Sequence, residues 1–159
     1  MKTLILGLGN ELAGDDAIGL LAARALNEQL GENKADVVES SASGMALLEI
    51  LAGYERAIVI DSILSGENPP GTIRELALAE VGRVVAPSLH HAGLPEMAAA
   101  AERLGLRFPS QTRVFAVEVS DPYTLGAPVG EQVAGALAEL VWRVRERVED
   151  WEREDAAGS

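Results

Sequence analysis

No cysteine occurs anywhere in the 159 residues. That absence removes disulfides, zinc knuckles and thiol nucleophiles together and leaves the redox compartment unconstrained, so any chemistry must rest on carboxylates, histidine or hydroxyls. Basic residues are also scarce, with 13 Lys and Arg against 25 Asp and Glu, a formal charge of −12. A surface of that sign repels phosphate backbones and anionic headgroups, which argues against nucleic acid and membrane as partners and mainly favours solubility. The N-terminal apolar run follows a single lysine and breaks at Gly7. It has neither the length of a membrane span nor the layout of a signal peptide, so a cytoplasmic location is expected. Internal repeats and linkers are missing as well.

What is present is enough apolar material, 48% of the residues, for one well-buried core at this length and too little for two ordinary domains. A monomer with a single domain over residues 1–154 is expected, with residues 155–159 as a frayed tail.

Taken in order, Lys2 to Leu8 is a near-continuous apolar run of the kind buried on both faces of a parallel sheet. It passes through Gly7, Gly9 and Asn10 to a pair of acids, Asp15 and Asp16, behind which Ile18, Leu21, Ala22, Ala25 and Leu26 recur at helical spacing. Val37 to Ser40 reads as a short second strand and Ser43 to Ala52 as a second helix. Arg56 to Ile60 is a strand that ends on Asp61 and Ser62. Only about ten residues, rich in Gly and Pro, separate Asp61 from the next strand, Thr72 to Leu78. That is too few for a helical crossover, so this strand is expected to pair antiparallel at an edge. Pro87 to His91 reads as a loop, Leu94 to Leu104 as a third helix and Thr112 to Val119 as a fifth strand. A long last helix carries Val133, Leu137, Leu140, Val144, Val148 and Trp151 on one face. This alternation predicts an α/β fold, a three-layer α/β/α sandwich with about five mostly parallel strands, one antiparallel edge strand and about four helices.

Gly7, Gly9 and Gly14 suggest a dinucleotide fingerprint, but the third glycine falls two positions late for GxGxxG, and Asp15 and Asp16 would repel a pyrophosphate. An α/β nucleotide-binding module stays as an alternative. Neither a Gly-Lys-Ser/Thr phosphate loop nor a GxSxG nucleophile elbow is present. What remains is a set of oxygen and nitrogen donors in three separate loops: Asp15 and Asp16, then Asp61, then His90 and His91. Each loop is expected near the same edge of the sheet. Two carboxylates and an imidazole suit a divalent transition metal, and histidine favours nickel, zinc or iron over magnesium or calcium. On residue type alone, plainer readings prevail: Asp16 as a helix N-cap, Asp61 as a turn residue, the histidines as a surface pair.

The order of the motifs adds a resemblance. GLGNELAGDDAIG at Gly7 to Gly19 resembles the opening GxGNxLxxD(D/E)xxG pattern of the nickel-iron hydrogenase maturation endopeptidases. SGMALLEIL at Ser43 to Leu51 resembles that family's xGMxLL helix, VIDSI at Val59 to Ile63 its strand-end acid, and PPGT at Pro69 to Thr72 its PGT turn. SLHHAGL at Ser88 to Leu94 is similar to its SxHxxGL, a spacing that selects His90 and leaves His91 as a variable neighbour. The matches run from Lys2 to about Glu118.

The resemblance implies a protease that removes a short C-terminal extension from a hydrogenase large-subunit precursor after nickel has been inserted. The implied ligands are Asp16, Asp61 and His90, which would also be the catalytic residues, with one carboxylate helping to activate the attacking water. Nickel would be presented by the precursor itself, and another divalent transition metal is compatible with the same donors. Asp16 stands where some members have glutamate, a shorter arm of the same ligand type. A departure occurs before the GM motif, where the family often has an aspartate and DGGT-like residues and this chain has Glu39, Ser40, Ser41, Ala42 and Ser43. Glu39, Ser41 and Gly44 are the expected substrate-recognition residues, so the departure bears on which hydrogenase is the cognate substrate more than on the chemistry. The plain alternative is that Glu39 caps the next turn. A further alternative for the whole chain is an inactive homologue that binds or chaperones the same precursor.

Other residues have plainer readings. Trp142 and Trp151 are expected as core or partner-contact residues, and Arg143 to Glu154 as a solvated helix face. Glu118, at a strand end, either supports a ligand from behind or is solvated.

Overall fold

Strand β1 (Thr3–Leu8) is buried at every position, and so is β3 (Arg56–Ile63), the strand beside it. Full burial follows from their place inside a five-stranded sheet in the order β2-β1-β3-β5-β4, where β2 is Asp36–Ser40, β5 is Gln111–Glu118 and β4 is Ile73–Ala77. Residues 2–31, 33–81 and 90–158 of the computed structural model are described. β1, β2, β3 and β5 run parallel, and β4 pairs antiparallel with β5 at the edge. The short Gly- and Pro-containing connection after Asp61 thus does what its length dictates.

Side chains alternate between two cores. Ile5, Ile58, Ile60, Phe115 and Val117 pack on one face of the sheet with Leu26 of α1 (Ile18–Gln29) and Leu140, Val144 and Val148 of α6 (Leu137–Gly158). Leu4, Leu6, Val59, Val114 and Ala116 face the other way, toward Leu47 and Leu51 of α2 (Ala46–Leu51) and Leu94 and Met97 of α4 (Leu94–Leu104). A period of two on strands whose apolar residues face both ways produces two dry layers at once, the sandwich expected from the sequence.

Several boundaries differ from expectation. β3 continues through Ile63 because β5 keeps pairing with it as far as Glu118, so Asp61 and Ser62 lie within the strand. Six α-helices are found among the described residues where about four were read. One addition is the single turn α3 (Leu78–Val81). The other arises because the last helix is divided into α5 (Glu131–Gly135) and α6. At the break the Ala136 N–H turns to the Val133 carbonyl at 3.0 Å, a tightened bond beside the poor helix former Gly135. Residues 155–158, expected to fray, continue α6, and the carboxylate of Asp155 takes both terminal nitrogens of the buried Arg56 at 2.7 and 2.8 Å. The loop expected at Pro87 to His91 falls outside the described residues except for His90 and His91.

Candidate active site

Asp16 reaches the sheet because three glycines let the chain close up. A Cβ on Gly19 would stand 2.2 Å from the Leu8 carbonyl oxygen and 2.5 Å from that of Ile60. One on Gly7 would stand 2.3 Å from the Gly19 oxygen, and one on Gly9 2.1 Å from the Asp16 oxygen. Real Cβ atoms cannot take these positions, so the start of α1 lies directly against β1 and β3 only with glycine at all three. Here the glycines pack backbone on backbone. The Asn10 N–H that follows these glycines donates to Asp16 Oδ2 at 2.9 Å, so a carboxylate takes it. That contact counts against the nucleotide-binding alternative.

The paired acids have separate partners. Asp15, in the 3-10 turn Gly14–Ala17, accepts from the Gly130 N–H at 2.7 Å, the Ser120 and Asp121 N–H groups at 3.1 and 3.2 Å, and the Ser120 hydroxyl at 3.3 Å. It ties the site loop to the loop after β5. Asp16 faces inward, where Ser62 Oγ donates to its Oδ1 at 2.7 Å and His90 Nε2 lies 3.2 Å from its Oδ2. Asp61 is fully buried within β3, with the Ser62 N–H on Oδ1 at 2.9 Å and His91 Nδ1 2.7 Å from Oδ2.

The three expected ligands do converge: Asp16, Asp61 and His90 can each offer one atom such that all three lie within 4.8 Å of one another. A transition-metal ion with ligand distances of ~2.0–2.2 Å would draw such donors inward from that spacing. The protonation pattern of His90 suits such an ion. Its Nδ1 lies 3.3 Å from the Ala42 carbonyl, which can only accept, so Nδ1 carries the hydrogen. In the neutral ring Nε2 then presents a lone pair to the Asp16 carboxylate, and two acceptors face each other across 3.2 Å. Either a proton or a cation must lie between them. In the metal-free protein the proton is favoured: the hydrogen bond to Asp16 raises the His90 pKa above the ordinary histidine value against the opposing effect of burial, with the charges of Asp61 and Asp16 and the Ala42 carbonyl adding to the rise.

Glu39 lies on β2, and Ser41 and Gly44 lie in the segment between β2 and α2. Glu39 and Ser41 line an open cleft of about 380 Å³ together with Asn10, Leu12 and Arg24. Glu39 does not cap the following turn. Its carboxylate takes Arg24 Nε at 2.9 Å, and Ser40 Oγ accepts the Ala42 N–H at 3.0 Å in its place. The same Arg24 holds Glu11 at 3.0 Å. Gly44 sits in an exposed turn at φ +59°, a left-handed conformation that suits glycine and precedes α2.

Sequence reasoning set His91 aside as a variable neighbour, yet it is buried against Asp61. The signal available was the doubling itself: two adjacent imidazoles for two carboxylates on separate elements. Glu118 matches neither expectation. It is buried and accepts from the Ser65 N–H at 2.9 Å, the Gly66 N–H at 3.2 Å and the Ser65 hydroxyl, so it fixes the turn after β3. Trp151 belongs to the core, whereas Trp142 is 60% exposed. The charged face of α6 is only partly solvated, because Arg147 reaches Glu75 on β4 at 2.7 Å.

A three-layer α/β/α sandwich that gathers two carboxylates and an imidazole at the carboxyl edge of its sheet is built for polar chemistry on a bound group. Residues 20–146 match the family model described as hydrogenase maturation protease. Over 152 residues the chain is 30% identical to the hydrogenase 2 maturation protease of Escherichia coli strain K12, covering 92% of each chain. Its fold superposes on the hydrogenase maturating endopeptidase HybD from E. coli with a TM-score of 0.79 at 27% identity, over 94% of this chain and 93% of that one. The NiFe hydrogenase maturation protease HybD from Thermococcus kodakarensis gives 0.72 at 27% identity, over 93% and 99%. The chain belongs to the hydrogenase maturation protease family, and it is an endopeptidase of that kind.

Proposed function

We propose that this endopeptidase removes the C-terminal extension of a nickel-iron hydrogenase large-subunit precursor once nickel has been inserted, and that Asp16, Asp61 and His90 receive the precursor's nickel. The observation that carries this reading is the Nε2 lone pair of His90, aimed at Asp16 by the bond from Nδ1 to the Ala42 carbonyl, in a cluster whose three donors lie within 4.8 Å. A proton completes this arrangement in the metal-free protein, and a cation can take that place. Nickel held by the precursor supplies a positive charge that anchors the cleavage segment in the site. Three protein donors leave coordination positions for the precursor's own groups, which makes recognition a checkpoint on nickel loading.

The protein's own residues then have separate tasks. His90 and the two carboxylates orient the bound segment, and one carboxylate oxygen of Asp16 or Asp61 takes a proton from the attacking water. Glu39, Ser41 and Gly44, in or beside the adjoining cleft, contact the precursor. Residues 1–154 act as one domain, as a monomer in the cytoplasm. Support comes from the family, from the acidic composition and from the lack, among the described residues, of a helix long and apolar enough to cross a membrane.

The test is Asp61→Asn. Incubated with nickel-loaded precursor, this variant is expected to lose at least about 100-fold in the rate at which the C-terminal peptide is released, the scale of a lost general base. Normal trimming by the variant, read by mass spectrometry, would sink the proposed role of Asp61.

A further inference from the structure

We propose that His91, to which neither the family pattern nor any proposed role above gives a task, is a positioning residue that fixes the Asp61 carboxylate in the orientation the metal site needs. The inference rests on the metal reading of that site. Asp61 is fully buried, so no bulk water can orient it, and the terminal torsion of an aspartate is intrinsically broad. Two hydrogen bonds help to hold it. The Ser62 N–H donates to Oδ1 at 2.9 Å, and His91 Nδ1–H donates to Oδ2 at 2.7 Å, the short distance of a hydrogen bond to a carboxylate. Each oxygen thus has a donor in place.

The histidine pair makes this a coupled device. His90 turns to Asp16 and His91 to Asp61, so two successive residues address two carboxylates carried on different elements. The His91 carbonyl accepts the Leu94 N–H at 3.1 Å, which anchors the pair on the first turn of α4. A displacement of that loop would move a ligand and the orienting partner of another ligand together. Outer partners of this kind typically change metal affinity by ~10–100-fold when removed.

The experiment is a cobalt(II) chloride titration of the full chain, followed by visible absorption and by calorimetry, on wild type, His91→Leu, His91→Asn and Asp61→Asn. Circular dichroism and thermal melting establish that each variant is folded. His91→Asn keeps an N–H donor near the Nδ1 position. The expected result is a loss of about 10–100-fold in cobalt affinity for His91→Leu with an altered absorption band, and recovery of most of both in His91→Asn. Wild-type affinity and spectrum in His91→Leu, whatever its melting temperature, would overturn the positioning role alone, as would equal losses in the Leu and Asn variants. Unchanged cobalt binding in Asp61→Asn, or no uptake by the wild-type chain, would overturn the metal reading and this inference with it.

Discussion

Ser62 follows Asp61 on β3, yet its hydroxyl donates to Asp16, 46 positions away, at 2.7 Å, while its own N–H holds Asp61. One residue therefore sets the spacing between the two carboxylates. Ser62→Ala removes a donor from a buried carboxylate, a loss of about 1–3 kcal/mol in stability. Urea unfolding is expected to read that loss, together with weaker cobalt uptake because Asp16 loses the donor on its Oδ1. Unchanged stability would show that the bond contributes nothing.

Gly19 makes a sharper steric prediction. Its Cβ position is occupied by two backbone carbonyls, at 2.2 and 2.5 Å, and neither can rotate away. Gly19→Ala must push α1 off the sheet. A cost of roughly 1–3 kcal/mol or more is expected, measured by chemical denaturation, with slowed cleavage because Asp16 moves with the helix. A variant as stable and as active as wild type would contradict the close approach.

Asp15 and Asp16 differ by one position and should fail in different ways. Asp15→Ala leaves the donors of Ser120, Asp121 and Gly130 without their acceptor and is expected to cost on the order of 3 kcal/mol or more. Thermal melting should rank it well below Asp16→Asn, which keeps the shape of the side chain and is expected to lose cleavage while remaining folded. The reverse order would mean that the two acids have been assigned the wrong tasks.

His90 supplies a pH signature in the metal-free protein. Its folded-state pKa is raised above the unfolded value, first by the hydrogen bond to Asp16. The sign follows: the stability contributed by this pair is fully present below the unfolded pKa and is lost as pH rises through the folded one. With only two histidines in the chain, proton NMR can follow both rings. Asp16→Asn is expected to lower the His90 titration midpoint. A midpoint unmoved by that change would show that Asp16 does not hold the imidazolium.

Much of this was legible in the residues. The largely apolar runs of β1 and β3 read as strands, and the ten-residue connection to β4 was too short for anything but an antiparallel edge. Asp16, Asp61 and His90 were named from the resemblance to a known family, and they converge. What escaped has a common physical cause. The Arg56–Asp155 pair joins residues 99 positions apart, and the grip of Asp15 on Gly130 spans 115, so no local pattern announces them. Neither reading of Glu118, ligand support or solvation, anticipated its partners, because the N–H groups of Ser65 and Gly66 are backbone groups with no sequence signature. His91 was passed over because a family spacing marks the shared position, whereas the Asp61 contact is made by the neighbour that the spacing leaves open.

The central claim is that cleavage depends on nickel already held by the precursor. Its most direct test is to incubate the purified protein with large-subunit precursor in nickel-loaded and nickel-free forms and to follow the intact mass of each. The account predicts loss of the C-terminal peptide from the nickel-loaded form only. Trimming of the nickel-free precursor at the same rate would contradict it.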